Sequence, residues 1–118
     1  MPRRILLVED YLRIRKNIAS FLRTEGYEVN EASNGKEAVQ LLERDEVDLV
    51  LSDVVMPGLG GFHLLRHIRS VAPEVPIVLM SGFSLNAQQI LKEGATDFIM
   101  KPFDLNELLF KLKLALGQ

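Results

Sequence analysis

The 118-residue sequence lacks cysteine, and aromatic residues make up only 7% of it. Disulfides and thiolate metal sites are therefore excluded, which suits a reducing cytosol. No apolar run is long enough to cross a membrane, and no signal peptide precedes the first apolar segment. Lysine and arginine are scattered along a chain of net charge −2, so nothing indicates direct nucleic-acid binding. We expect a single cytoplasmic domain over residues 1–118, with no membrane or nucleic-acid contact of its own.

Five short apolar runs alternate with five segments of helical periodicity. The predicted strands are Arg4–Val8, Tyr27–Ala32, Asp48–Asp53, Ile77–Met80 and Asp97–Lys101. The predicted helices are Leu12–Glu25, Gly35–Arg44, Gly61–Val71, Asn86–Glu93 and a last helix from the Asp104 cap to about Leu116. Short connections between such elements require right-handed crossovers and a parallel sheet. The sequence thus predicts an α/β fold, a flavodoxin-like doubly wound (βα)5 three-layer sandwich with strand order 2-1-3-4-5.

Apolar residues at helical spacing predict which side of the first and last helices is buried. In the first helix the predicted stripe is Ile14, Ile18, Phe21 and Leu22. In the last helix it is Leu105, Leu108, Leu109, Leu112 and Leu116. Phe110 and Leu114 project from nearly the opposite side of that helix, and exposed apolar residues of this kind need no functional explanation by themselves. We nevertheless predict that Phe110 and Leu114 belong to a self-association or output interface.

Polar side chains follow four of the predicted strands. Glu9 and Asp10 follow the first strand, Asp53 ends the third, Ser81 follows the fourth and Lys101 ends the fifth. Carboxyl ends of parallel strands share one sheet edge, which is where open α/β sheets bind ligands. Carboxylates about 5 Å apart repel by roughly 3 kcal/mol per pair at an effective dielectric of 20, so a cation is expected among them. Oxygen ligands completed by water favour Mg²⁺ over a transition metal.

Each of these residues also has an ordinary explanation when taken singly. Acidic residues are favoured at helix starts, Asp53 precedes a Pro-Gly turn, Ser81 and Gly82 suit a turn, and Lys101 suits the surface. Their joint occurrence instead indicates phosphoryl transfer. In that chemistry Asp53 attacks as the nucleophile, Ser81 donates a hydrogen bond to a phosphoryl oxygen, and Lys101 holds another oxygen by charge.

Over essentially its whole length the chain resembles the receiver domains of two-component response regulators. The resemblance is carried by Glu9-Asp10, by Asp53 in Asp-Val-Val-Met-Pro-Gly, and by Gly61. Three further motifs complete it: Ser81-Gly82, Gly94-Ala95-Thr96-Asp97-Phe98 and Lys101-Pro102-Phe103. It implies a phosphorelay switch rather than a small-molecule enzyme, with Asp53 phosphorylated by a histidine kinase or histidine phosphotransfer protein and slowly dephosphorylating itself.

The resemblance also implies roles for the neighbouring residues. Mg²⁺, or Mn²⁺ in its place, is held directly by Asp10, Asp53 and the Val55 carbonyl, while Glu9 acts mainly through water. A cis peptide before Pro102 aims Lys101 into the pocket. Phe98 stands where the family has its switch aromatic, so Ser81, Lys101 and Phe98 are expected to carry the signal to the face formed by helix 4, strand 5 and helix 5.

Two other classes of function remain open from the residues. A pseudo-receiver would share the fold but lack an acid or the lysine, and none is missing here. A flavodoxin-like cofactor binder or phosphotransfer enzyme should have a Gly-rich or Ser/Thr-rich phosphate loop after strand 1, where this chain has Glu9-Asp10. A dehalogenase-type phosphatase should have a second Asp at position 55, which is Val. A homodimer, or an attached output or kinase domain, is compatible with the receiver interpretation.

Overall fold

The structure, a computed structural model, describes residues 2–55, 58, 60–82 and 87–118. Its strands are β1 Arg4–Val8, β2 Glu28–Ala32, β3 Leu49–Asp53, β4 Ile77–Ser81 and β5 Asp97–Met100. They form one parallel sheet in the order β2-β1-β3-β4-β5, which confirms the predicted topology. Strands β1, β3 and β4 are central, so side chains that follow them converge at one edge of the sheet.

The helices are α1 Leu12–Thr24, α2 Gly35–Arg44, α3 Gly61–Val71, α4 Ala87–Lys92 and α5 Leu105–Ala115. Most predicted element boundaries coincide with the observed ones, and the others differ by one residue. Met56 and Pro57 of the predicted turn after β3, and Asn86 at the predicted start of the fourth helix, lie outside the described residues. In the part of the chain that the structure describes, no helix has both the length and the apolar character needed to cross a bilayer.

The sheet is covered on both faces, and successive residues of each central strand point to opposite faces. Ile5 and Leu7 of β1 pack in one core cluster with α1 and α5, whereas Leu6 and Val8 pack in a second cluster with α2, α3 and α4. Burial on both faces explains why these strands are uninterrupted apolar runs. Each fully buried leucine or isoleucine contributes about 1.5–3 kcal/mol relative to an exposed one.

The predicted buried sides of the two helices on the first face are largely confirmed. In α5, Leu108 and Leu112 are fully buried. In α1, Ile18 and Leu22 are buried, but the prediction for Ile14 is wrong, because this residue is 38% exposed. Helical period shows which side of a helix faces inward but not how completely each residue on that side is covered. Ile14 lies in the first turn of α1 and lines an open groove with Pro102 and Phe103.

Glycine is required at the start of α3, because the helix begins directly against the end of β3. A Cβ atom on Gly61 would lie 2.8 Å from the Cα of Val54, closer than real Cβ atoms approach. The Gly61 N–H donates to the Val54 carbonyl at 2.9 Å. This close contact holds the backbone that follows Asp53.

Candidate functional site

Asp53 is the last residue of β3 and is only 6% exposed. Its Oδ2 atom accepts a hydrogen bond from Nζ of Lys101 at 2.9 Å. The next residue, Val54, donates its N–H to the Met80 carbonyl of β4 at 2.9 Å, so the sheet ladder continues past Asp53 and fixes the direction of its side chain. The predicted pairing of Asp53 with Lys101 at one sheet edge is therefore present.

Glu9 is fully buried, and both of its carboxylate oxygens have protein partners. Oε1 accepts a hydrogen bond from Lys101 Nζ at 2.7 Å, and Oε2 accepts one from the Tyr11 N–H at 3.1 Å. The Glu9 N–H donates to the Ala32 carbonyl of β2 at 3.0 Å. The Glu9 side chain is thus held in a fixed position at the base of the pocket.

Asp10 has a different environment from Glu9. Among the described residues its Oδ1 atom is buried and has no hydrogen-bond partner. Burial, together with a hydrogen bond to Glu9, raises the pKa of the Asp10 carboxyl above its ordinary value. A buried acceptor without a partner is costly in free energy, and this one faces two other acids.

One carboxylate oxygen from each of Glu9, Asp10 and Asp53 lies within 4.8 Å of the other two. Three hard oxygen donors at this separation, one of them unpartnered, match what a divalent cation such as Mg²⁺ requires. Val55 is 57% exposed beside Asp53, and its carbonyl as a further ligand stays a prediction. The chemistry of the donor set therefore fits a hard cation.

Lys101 follows β5 and supplies positive charge between two of the acids. Its side chain is 22% exposed, and burial by itself lowers the pKa of the ammonium. Hydrogen bonds and charge attraction from Glu9 and Asp53 outweigh burial, so the pKa of Lys101 is raised. The Lys101–Pro102 peptide is cis, as the resemblance implied, and the Lys101 N–H donates to the Ser81 carbonyl at 2.7 Å.

The predicted switch residues lie near one another on β4 and β5. Ser81 ends β4 and is 1% exposed, whereas Gly82 is exposed at the rim. Phe98 pairs in register with Leu79, two residues before Ser81, and packs half-buried against the cluster of α2, α3 and α4. Lys111 of α5 places its Nζ atom 5.5 Å from the centre of the Phe98 ring. Phe98 of β5 is therefore in contact with α5 through Lys111.

Phe110 and Leu114 do not reach the pocket. They are 62% and 58% exposed on the outer side of α5, which agrees with the predicted orientation. Their role in an interface stays a prediction.

Two features of the site were not predicted from the sequence. One is an apolar groove of about 490 Å³ that adjoins Lys101 and Gly82 and is lined by Ile14, Pro102 and Phe103. The other is Arg15, whose Nη1 atom donates to the Glu9 carbonyl at 2.9 Å. The only sequence signal for Arg15 was its position one turn into the helix that follows the acids, which does not identify its partner.

Comparison with known proteins agrees with the geometry. Residues 5–113 match the family described as the response regulator receiver domain. The chain is 39% identical over 121 aligned positions to the transcriptional regulatory protein PdtaR of Mycobacterium tuberculosis, covering 100% of this chain and 58% of that protein. It is 36% identical over 118 positions to the response regulator MprA of Mycolicibacterium vanbaalenii, covering 98% of this chain and 51% of that protein.

Among solved structures, the chemotaxis response regulator CheY4 of Vibrio cholerae superimposes with a TM-score of 0.91 at 30% identity, covering 98% of this chain and 99% of CheY4. The chain spans about half the length of the curated relatives MprA and PdtaR. Because the family match extends over most of the sequence, the chain belongs to the receiver domains of two-component response regulators.

Proposed function

We propose that Asp53 is the phosphoacceptor and that its donor is the phosphohistidine of a histidine kinase or histidine phosphotransfer protein. One observation carries this proposal: the carboxylates of Glu9, Asp10 and Asp53 converge within 4.8 Å, and Lys101 bonds to two of them. Such a cluster of like charges is unfavourable for stability and is expected where function requires it.

The chemical step is a displacement at phosphorus. An oxygen of Asp53 forms the new P–O bond while the P–N bond to the donor histidine breaks, and the electron pair of that bond returns to the imidazole. With its other ring nitrogen protonated, the imidazole leaves as a neutral group. The product is an aspartyl phosphate at the end of β3.

The residues around Asp53 divide the remaining tasks. Asp10, Asp53 and the Val55 carbonyl would hold Mg²⁺ directly, and Glu9, whose oxygens already have partners, would act through water. When bound, Mg²⁺ supplies charge neutralisation for the phosphoryl oxygens. Lys101 then exchanges its bond to Asp53 for one to a phosphoryl oxygen, and Ser81 donates to another.

The added phosphoryl group carries about −1.5 to −2 charge, and its new bonds draw Ser81 and Lys101 toward it. Met100 is the register partner of Ser81, and Phe98, two residues earlier on β5, projects from the same face of the sheet as Met100. Movement of Ser81 therefore opens space that Phe98 can enter. The surface formed by α4, β5 and α5 changes as a result, and there an output domain, a kinase domain or a second copy would detect it.

The experiment is incubation with acetyl phosphate and Mg²⁺ followed by intact mass measurement. The wild type should gain one phosphoryl mass and Asp53→Asn should gain none. The matched control is Asp48→Asn, because Asp48 immediately precedes β3 at the opposite end of the strand. Undiminished labelling of Asp53→Asn, or loss of labelling in Asp48→Asn alone, would contradict the assignment. No observation on the described residues favours the pseudo-receiver or cofactor-binding alternatives.

A further inference from the structure

The guanidinium of Arg15 joins the acidic pocket to the edge of the sheet. Its Nη1 atom donates to the Glu9 carbonyl at 2.9 Å, and its Nε atom donates to Oε1 of Glu31 at 3.2 Å. The Arg15 side chain is only 14% exposed, whereas the side chains of Lys16 and Arg23, which also contact Glu31, are 59% and 49% exposed. Of these three residues, Arg15 also contacts the backbone that carries the acids, at the Glu9 carbonyl.

Glu31 is a suitable anchor for this contact. It lies on β2 directly before Ala32, whose carbonyl accepts the Glu9 N–H. Burial alone raises the pKa of the Glu31 carboxyl, but hydrogen bonds from Lys16, Arg23 and Arg15 outweigh it and lower the pKa below its ordinary value. Glu31 is therefore a stable anion at neutral pH, and β2 fixes both sides of the Glu9 backbone: the N–H through Ala32 and the carbonyl through Arg15.

This arrangement determines where Asp10 points. The peptide that links Glu9 to Asp10 contributes the carbonyl that Arg15 holds. On the other side of Asp10, the Tyr11 N–H is held by Oε2 of Glu9. The backbone on both sides of Asp10 is thus fixed, while its own Oδ1 atom is buried without a partner among the described residues.

We propose that Arg15 is a positioning residue of the phosphorylation site: it fixes the β1–α1 connection so that Asp10 presents its carboxylate to the divalent cation. This inference rests on the proposed function, because it assigns Arg15 a task in binding the cation. A planar guanidinium presents donors at fixed angles to two acceptors at once, which an ammonium cannot do. Lysine at position 15 would keep the charge and lose the two-point contact.

An electrostatic effect of Arg15 and a positioning effect of Arg15 predict opposite changes in Mg²⁺ affinity when the residue is replaced. Removing a cation near three carboxylates should by electrostatics alone tighten Mg²⁺ binding, because the pocket becomes more negative. Releasing the Glu9 carbonyl should weaken Mg²⁺ binding, because the ligands lose their arrangement. The sign of the change therefore distinguishes the two effects.

The test is calorimetric titration of the metal-free chain with MgCl₂ for wild type, Arg15→Gln, Arg15→Lys and Lys16→Gln. We expect both Arg15 variants to bind Mg²⁺ about tenfold more weakly, at the lower end of the range for groups that orient metal ligands. Lys16→Gln removes a charge from the same Glu31 without touching Glu9, and it should bind Mg²⁺ as tightly as the wild type or more tightly.

A second readout needs neither metal nor phosphorylation. In metal-free protein, the amide resonance of Tyr11 should shift in Arg15→Lys and stay unchanged in Lys16→Gln, because the Tyr11 N–H reports the Glu9 geometry. If Arg15→Gln does not fold, the Tyr11 shift in Arg15→Lys still tests the proposal, since lysine keeps the charge at position 15.

Mg²⁺ binding in the Arg15 variants that is as tight as in wild type, or tighter, would overturn the proposal, as would a wild type that binds no Mg²⁺. Labelling of the wild type by acetyl phosphate is scored separately. An unlabelled wild type whose Mg²⁺ affinity still depends on Arg15 would refute the proposed function and leave the positioning role standing.

Discussion

The Nζ atom of Lys101 lies 2.9 Å from Oδ2 of Asp53, and the two side chains are 22% and 9% exposed. The same ammonium lies 2.7 Å from the buried carboxylate of Glu9. Lys101 is thus the counter-ion of two acids whose proximity would otherwise destabilise the fold. Breaking a buried ion pair by removing one partner is costly, because it leaves the other charge uncompensated.

Replacement of Lys101 should expose this repulsion. We expect Lys101→Met to lower the free energy of unfolding by about 2–3 kcal/mol in the presence of a chelator. Mg²⁺ should restore more stability to this variant than to the wild type, because the ion no longer competes with the ammonium for Glu9 and Asp53. Thermal unfolding with and without Mg²⁺ measures both effects. Lys111→Met, which removes a lysine on α5, is the control, and equal Mg²⁺ effects in wild type and Lys101→Met would contradict the prediction.

The raised pKa of Lys101 gives a second, pH-dependent signature of the same pair. A lysine whose pKa is raised on folding contributes stability that is fully present below its ordinary value of 10.5 and is lost as pH rises through the folded value. Above about pH 10.5, the stability of the wild type should therefore fall more steeply with pH than the stability of Lys101→Met. Unfolding curves collected across the alkaline range test this, and parallel pH profiles would refute it.

Asp10 should have the opposite effect on stability at neutral pH. Burial raises the pKa of its carboxyl from an ordinary value of 3.8, so the folded chain binds the proton more tightly than the unfolded chain does. Stability contributed by Asp10 is then present at low pH and lost as pH rises through the folded pKa. Without Mg²⁺, Asp10→Asn should melt at a higher temperature than wild type near neutral pH, and this difference should vanish below pH 3.8.

Asp10→Asn should also lose the shift in melting temperature that Mg²⁺ produces in the wild type. Melting temperatures measured with a chelator and with saturating Mg²⁺ give the shift for each protein. Glu43→Gln removes one negative charge from the exposed surface of α2 and should keep the wild-type shift. If Asp10→Asn kept it as well, Asp10 would not be a ligand.

Much of this arrangement could be predicted from the sequence, because it depends on strand ends. Once five strands alternate with five helices, the sheet edge that collects Glu9, Asp53 and Lys101 follows from topology alone. Arg15 could not be predicted in the same way, since its partner Glu31 comes close only through the pairing of Leu7 with Glu31 between β1 and β2. Helix periodicity likewise could not show that Ile14 is left 38% exposed.

Coupling from the pocket to α5 should pass through Phe98. Lys111 connects the two elements, because its Nζ atom lies 5.5 Å from the Phe98 ring and 3.4 Å from Oδ1 of Asp97. Beryllofluoride, which mimics a phosphoryl group, should shift the amide resonances of Phe98 and Lys111 as well as those of the pocket. Ser81→Ala should keep the pocket shifts and reduce those at Phe98. Shifts that end at the pocket in the wild type would show that the two regions are not coupled.

The outer side of α5 should mediate association with a second copy of the chain. Phe110 and Leu114 lie one turn apart and are 62% and 58% exposed, with exposed Glu107 before them and exposed Lys113 among them. In an antiparallel helix pair related by a two-fold axis, Phe110 of each copy meets Leu114 of the other, so this apolar surface is complementary to itself.

Phe110→Asp combined with Leu114→Lys leaves the net charge unchanged and should weaken dimerisation in the presence of beryllofluoride by about 2 kcal/mol or more, as expected for an aromatic residue at the centre of an interface. The monomer should lose less than about 0.5 kcal/mol of stability, because both residues are exposed. Phosphorylation of Asp53 should be unaffected. Sedimentation velocity measures the association, and Phe110→Leu with Leu114→Met, which keeps the surface apolar, is the control. Equal association of the charged variant, the control and the wild type, or a wild type that stays monomeric, would show that this side of α5 is not a self-association surface.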